Sequence, residues 1–335
     1  MLANLKAKFK NHPDLYYAMS IAATWAGVGS LMMGMTVAQE YGIVPYLIWA
    51  AGNTLACIVF GLVAPYVPRL RDVFRSKIMK VIVGLMCPFQ IWISLNGMQQ
   101  IFADTPLTIN FGTGVAVVTA VLFIVLLYRY GMIRNVLTDH MSWVLVYILV
   151  AALAVVSMIY TRGSFNLLSA GMESINVGVE KALLLIPGAF LYPYYFEILD
   201  YNDRNEDGTK KINIRKAFIN GGLLFGAYLA ITFLLAWTRF SPALNIVKAV
   251  LITLIAISSL SSFQYSLYIT FGRKLGLALN IVSLILWPLV ISLGVMGVWT
   301  MMAKVRIMIV FVAIAAALWW AGTERYVAKH KAVSE

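Results

Sequence analysis

The segment from Ile21 to Thr36, IAATWAGVGSLMMGMT, is apolar and long enough for a helix across hydrocarbon, yet glycines stand at 27, 29 and 34. Glycine admits backbone angles that other residues resist and lets other groups approach the main chain. Where a helix is interrupted in an apolar surrounding, the freed N–H and C=O groups must find partners or line a cavity that water or a ligand can reach. A second interrupted span lies at Ile186 to Tyr195, IPGAFLYPYY, where Pro187 and Pro193 each remove a helix donor and obstruct the preceding turn. Two broken spans, one in each half of the chain, constrain the fold more than any other feature.

The 335 residues are 61% hydrophobic and 12% charged, with a mean hydropathy of +0.83. A soluble domain carries about 25% charged residues, so the composition points to an integral membrane protein. The opening residues MLANLKAKFKNHPD are basic and polar, and the apolar stretch behind them is too long for the core of a cleavable signal. Stretches of about 17–25 apolar residues fall near 16–37, 43–64, 79–101, 112–130, 141–160, 179–199, 215–237, 243–270, 276–301 and 304–322. The expected fold is therefore all-α and polytopic, about ten transmembrane helices in one domain over 1–335, with helices one and six broken.

Basic residues sort by side. The N-terminus, the loop holding Arg69, Arg71 and Arg75, the positions Arg129 and Arg134, the loop 200–216 and the tail lie together. The opposite side keeps only Arg162, Lys181, Arg239, Lys248, Lys304 and Arg306. The positive-inside rule then places both termini in the cytoplasm and the protein in the inner membrane. The net charge of +12 is accounted for by topology and not by nucleic-acid binding. Cys57 and Cys87 fall inside apolar spans and read as small buried hydrophobes.

Spans one to five (about 16–160) and six to ten (about 179–322) can be laid over each other. Each half opens with an interrupted helix, followed by one with a small-residue face: AAGNTLACIVFG at 50–61 and INGGLLFGAYLA at 219–230. Such faces let membrane helices pack closely. Five spans per half, an odd number, implies opposite insertion of the halves, the arithmetic of an inverted repeat; paired interrupted spans in such a repeat point to a transporter binding site.

The eighth span holds Ser258, Ser259, Ser261 and Ser262, of which Ser258, Ser261, Ser262 and Tyr265 share a helical face. Hydroxyls can bond back to the preceding turn, or serve as oxygen ligands for a hard cation. The segments TWAGVGSLMMGMTVAQEYG (24–42), LIWAAGNTLACIVFGL (47–62) and AISSLSS (256–262) resemble the sodium/solute symporter family, with its LeuT-type five-plus-five inverted-repeat fold. The resemblance implies a Na+ site made by carbonyls of Thr24 and Gly27 and by the hydroxyls of Ser258 and Ser259. The chain is shorter than most members, and Trp25 and Ala26 stand where some relatives carry an acid.

Candidate solute contacts are Trp25, Gly27, Gly29, Gln90, Ser94, Phe190 and Tyr192, between the first, third and sixth helices. Lys248 is expected to snorkel, and Glu197 lies towards the inner end of the sixth span. No Asp, Glu or Arg stands near mid-membrane in this reading, which favours a neutral or zwitterionic solute. Thr138, Asp139 and His140 read as an exposed turn, and Asp203 to Gly208 as a hydrophilic loop lacking the last ligand of a calcium-binding motif. No hydrolase, zinc or phosphate-loop pattern is present. The expectation is a non-enzyme: a carrier coupling Na+ to symport of a small organic solute by alternating access. A non-transporting sensor, scaffold or accessory subunit, a proton-coupled or uncoupled carrier, and a membrane-bound enzyme are the alternatives.

Overall fold

A computed structural model of the protein describes residues 13–66, 76–103, 105–161, 172–200, 212–236 and 240–305, with 308, 309, 319 and 323. The N-terminus, the loop 67–75, most of the loop 200–216, most of the tenth expected span and most of the tail lie outside the described residues. So do most of the charges on which the membrane orientation rests.

Helix α1 (Pro13–Trp25) begins with proline and Asp14, and α2 (Val28–Tyr41) follows after a two-residue break. The two are bent by 62°, so the first expected span is broken where its glycines lie. Gly42, at φ 89°, turns α2 into α3 (Ile43–Val63). That positive φ admits glycine and resists a side chain. Helix α4 (Lys77–Gln100) is capped by Ser76, whose hydroxyl accepts from Met79 N, and α5 is a helical run Thr108–Thr161. The sixth expected span is α6 (Met172–Leu185), a 3-10 stretch Ile186–Leu191, extended Tyr192 and α7 (Pro193–Asp200). Then come α8 (Ile214–Thr232), capped by Asn213, and α9 (Pro242–Leu286).

Two runs are too long for a single crossing. At about 1.5 Å per residue, the 45 residues of α9 would span more than twice the ~30 Å of hydrocarbon. Gly272, at φ 76° and ψ 173°, interrupts it, and Asn280 Nδ2 donates to Gln264 O at 3.1 Å. Residues 16 apart meet only if the two halves fold back on each other. In α5, Gln264 Nε2 reaches Ala120 O at 3.1 Å while Asn135 Nδ2 reaches Ser262 Oγ at 3.3 Å. Its two apolar spans, Thr108–Leu127 and Asn135–Tyr160, thus lie beside the same stretch of α9.

Among the described residues, seven helices are long and apolar enough to cross a membrane, or eight when α1 and α2 count as one. Val118, Val125, Ile148 and Ile159 lie exposed on α5, as expected of faces turned to lipid, and α1 is buried from Tyr16 to Trp25. Two boundaries are corrected. The fifth span begins at Asn135 and not at 141, because no proline or glycine separates Asn135 from the apolar run. The ninth does not run to 301: it gives way to 3-10 turns at Trp287–Leu289 and Ile291–Leu293, and Gly294 at φ 64° starts a new helix, α10, over 294–305.

The two small-residue faces pack on each other. A Cβ at Gly61 would lie 2.2 Å from Phe218 Cβ, and one at Gly222 would lie 2.8 Å from the Thr54 carbonyl. Replacing Gly61 by valine should lower stability by about 1–3 kcal/mol through overpacking. Gly114→Ala, with nothing within 4 Å of the added methyl, should be neutral or stabilising by up to about 1 kcal/mol. Thermal unfolding of the detergent-purified variants checks both.

Candidate cation and solute site

The break between α1 and α2 is held by short-range bonds. The Gly27 N–H turns to Trp25 O at 3.0 Å instead of continuing the helix, and the Gly27 carbonyl accepts both Ser30 N at 2.9 Å and Ser30 Oγ at 2.7 Å. Gly27 sits at φ −68° and ψ 167°, extended backbone open to any residue. The break therefore does not depend on glycine's conformational freedom at this position. An added methyl would meet Ser259 Cβ and Oγ at 3.7 Å, an ordinary contact. Trp25 anchors the end of α1 by donating from Nε1 to Asn53 Oδ1 at 3.1 Å.

Below the break, three helices each present a polar pair four residues apart: Ser20 and Thr24 on α1, Asn135 and Asp139 on α5, Ser258 and Ser262 on α9. Such pairs lie one turn apart on a single helix face, so the three stripes meet as a seam. Ser20 Oγ donates to Asp139 Oδ2 at 2.5 Å, and Tyr194 OH lies 2.7 Å from Ser20 Oγ. With the serine proton committed to the carboxylate, the tyrosine is the donor. Thr24 Oγ1 and Ser262 Oγ are 2.8 Å apart. Asn135 Nδ2 donates to Ser262 Oγ at 3.3 Å and lies 3.5 Å from Asp139 Oδ2.

Asp139 is 0% exposed. It forms no ion pair with Lys or Arg among the described residues, and Ser258 neighbours its carboxyl. Among the described residues, Asp139 Oδ1, Asn135 Oδ1 and Ser258 Oγ are buried outside well-formed hydrogen bonds, with the Ser258 hydroxyl close enough to act on the Asp139 carboxyl. A buried carboxylate without a counter-charge is costly, and orphaned oxygens beside it are the donor set that a hard monovalent cation takes (an extension of calcium and magnesium chemistry). The residues present fit such an ion. The reading of Asp139 and His140 as an exposed turn is thereby overturned: Asp139 is buried, and the His140 ring packs on Tyr16 with centroids 4.1 Å apart.

Above the break is a cavity of about 30 Å³, room for roughly two water molecules. Trp25, Gly27, Gly29, Gln90 and Tyr192 line it, and so do Trp49, Trp299 and Met302. Gln90 Nε2 spans it, donating to Tyr192 OH at 3.1 Å and to Met302 Sδ at 2.8 Å. Trp25 and Tyr192 are in ring contact, with centroids 5.1 Å apart.

Of the residues singled out from sequence, Trp25, Gly27, Gly29, Gln90 and Tyr192 come together at this cavity. Two others do not line it. Ser94 Oγ lies 2.9 Å from Ser259 Oγ, and Phe190 packs on Phe60 with centroids 5.1 Å apart. Thr24, Gly27, Ser258 and Ser259 stand along one helix interface. Within it, the Gly27 carbonyl is already occupied and Ser259 Oγ bonds Ser94 and its own preceding turn. Sequence reasoning missed Ser20, Asn135, Asp139 and Tyr194 at the buried polar seam, and Trp49, Trp299 and Met302 at the cavity. The recurring four-residue spacing was the available signal for the first group. Trp299 and Met302 were hidden by joining α10 to the ninth span.

Fold and site together define a polytopic α-helical membrane protein with a broken first span and a buried polar centre. No protein-family model matches the chain, and no curated protein matches it. Among solved structures, the crystal structure of the Eremococcus coleocola manganese transporter in complex with an aromatic bis-isothiourea substituted compound is similar at a TM-score of 0.40. The two share 14% identity, covering 91% of this chain and 71% of that one. A likeness of this degree carries no argument, and the functional reading stands on the geometry.

The backbone angles separate two glycines. Gly27→Ala should leave thermal stability within about 0.5 kcal/mol. Gly42→Ala, at φ 89°, should cost more than about 1 kcal/mol; paired melting curves in one detergent measure the contrast.

Proposed function

We propose that this protein is a secondary transporter that couples a monovalent cation, Na+, to symport of a small organic solute across the inner membrane by alternating access. The observation that carries this reading is the buried Asp139 carboxyl, which pairs with no Lys or Arg among the described residues and lies beside the Asn135 and Ser258 side-chain oxygens. Asp139, Ser258 and Asn135 would hold the ion, with Ser20 and Tyr194 orienting the carboxyl. Of the set that the resemblance implies, the Thr24 carbonyl, in the last turn of α1 where helical donors run out, and the Ser259 hydroxyl add to these, whereas the Gly27 carbonyl is taken by Ser30.

The solute would lie at the break, between Trp25, Gln90 and Tyr192. Thr24 joins the two sites, since its hydroxyl bonds the serine stripe and the next residue lines the cavity. An ion that fixes α1 against α9 would then favour one arrangement of the break. By linkage, the solute in turn strengthens the ion. The LeuT-type arrangement of ten helices as a five-plus-five inverted repeat, with both termini cytoplasmic, belongs to this reading, as does the absence of enzymatic chemistry. The packing of α3 on α8, the second helix of each half, and the two broken spans support it. The lipid bilayer and a small solute are the partners it requires; nucleic acid is not one.

Thermal unfolding of the purified full-length protein in Na+, K+ and choline salts at equal ionic strength tests it. A Na+-specific rise in Tm is expected, worth about 2.7 kcal/mol at a hundred times Kd, and lost in Asp139→Asn and Ser258→Ala. A Tm that responds to pH instead, and only while Asp139 is present, moves the coupling ion to the proton. Insensitivity to both sinks cation coupling.

A further inference from the structure

Two buried serines connect the cavity to the helix that carries the serine stripe. Ser94 on α4 and Ser259 on α9 are each 1% exposed, and their hydroxyl oxygens stand 2.9 Å apart. Ser94 Oγ also donates to the Gln90 carbonyl at 3.0 Å, one turn back along α4. Ser259 Oγ lies 3.2 Å from Ala256 O and 3.4 Å from Ile255 O in its own preceding turn. At the far end of the connection is the Gln90 side chain, whose amide spans the cavity to Tyr192 and Met302.

These contacts cannot all be made at once. Each hydroxyl has one proton and two lone pairs. The two protons face three places: the Gln90 carbonyl, the gap between the serine oxygens, and the turn before Ser259. Two oxygens this close repel unless a proton lies between them, so two arrangements remain. In the first, Ser94 donates to Gln90 and Ser259 donates to Ser94, which leaves both Ser259 lone pairs open. In the second, Ser259 donates to its own turn and Ser94 donates to Ser259. That takes one Ser259 lone pair and releases the Gln90 carbonyl. A cation held by Ser259 Oγ selects the first arrangement, because the second sets a hydroxyl proton against the ligand oxygen.

The Gln90 end is built to respond. A hydroxyl bonded to the carbonyl one turn earlier bends a helix. Pro88 stands inside α4, just before Gln90, and its missing N–H leaves that turn free to bend. Gaining or losing the Ser94 bond at the Gln90 carbonyl therefore moves the residue that bridges the cavity.

We propose that Ser94 is a positioning residue that passes cation occupancy at Ser259 to the Gln90 bridge, through the one proton it can give to either. This rests on the reading of Ser259 as a cation ligand and supplies a second link between ion and cavity, on the side of α4.

By linkage the bridge must act back on the cation, so Na+ itself is the probe. It is titrated into the full-length protein in detergent, by calorimetry and by the rise in Tm, against choline at constant ionic strength. Gln90→Met, which keeps the length of the side chain and removes the donor, should shift the Na+ Kd about fivefold, within the usual range for linked sites. In a Ser94→Ala background the same change should shift it less than about twofold, the limit of additive behaviour. Ser94→Cys, of similar volume and a weak donor, serves as a second variant and should give the same loss. Ser283→Ala removes another buried serine that bonds back to its own helix, at Leu279 O, and should leave the Gln90 effect whole. The relay is overturned, and the cation reading left standing, by any of three results: a Gln90 effect that persists in both Ser94 variants, one that vanishes equally in Ser283→Ala, or no effect of Gln90→Met while Na+ still binds. Absence of Na+ binding to the unmodified protein overturns both.

Discussion

Interrupting a helix where no water reaches strands backbone donors and acceptors that elsewhere would be solvated, and the elements around Ala26 and Gly27 are arranged to meet that demand. Ser30 returns its hydroxyl to the Gly27 carbonyl, Gly27 turns back on Trp25, and the Trp25 indole fastens the end of α1 to Asn53 of α3. Farther down α1, Tyr195 from the second broken span donates to the Ile21 carbonyl at 2.9 Å. The two interruptions thereby brace each other. The first turn of α2, with the Ser30 N–H bonded to the Gly27 carbonyl, opens on the cavity.

The seam beneath the break follows from the same economy of polar groups. Three helices buried against one another carry hydroxyl, amide and carboxyl side chains at four-residue intervals, and most of those groups bond within the seam. A fully satisfied network would be a structural device that fixes helix register. Here the Asp139 carboxyl meets no Lys or Arg among the described residues, and the Asn135 and Ser258 oxygens beside it lie outside well-formed hydrogen bonds. That shortfall is what the proposed cation site rests on. The cavity lies on the other side of the same break, lined by Trp25, Gln90 and Tyr192.

Much of this was legible in the chain. Hydropathy marked the apolar spans from 16 to 270, missing the starts of the fifth and sixth by six and seven residues, because lipid and core both demand unbroken apolar runs. Glycine and proline marked both interruptions, and the small-residue faces at 50–61 and 219–230 foretold the tight contact of α3 with α8. The failures have physical causes. Asp139 was read as surface because a carboxylate beside histidine at the edge of a hydrophobic run normally is; only packing against Ser20 and Ser258 makes burial tolerable. Phe190 looked like a cavity residue from its neighbours Gly188 and Pro193, but the 3-10 turn through Ile186–Leu191 directs it to Phe60.

By itself the sequence determined what is local: which segments are apolar enough to cross a membrane, where helices must stop, and which residue types populate each face. Those properties depend on neighbours within a few positions and on the period of the helix. The tertiary structure decided which faces meet. It brought Ser20, Asp139 and Ser258, separated by more than a hundred residues at each step, into one seam, and placed Trp49 and Trp299 at a break formed by neither of their helices. Contacts of that range depend on how whole helices stack and fold back, as α9 does at Gly272, and a pattern read one turn at a time carries no record of them.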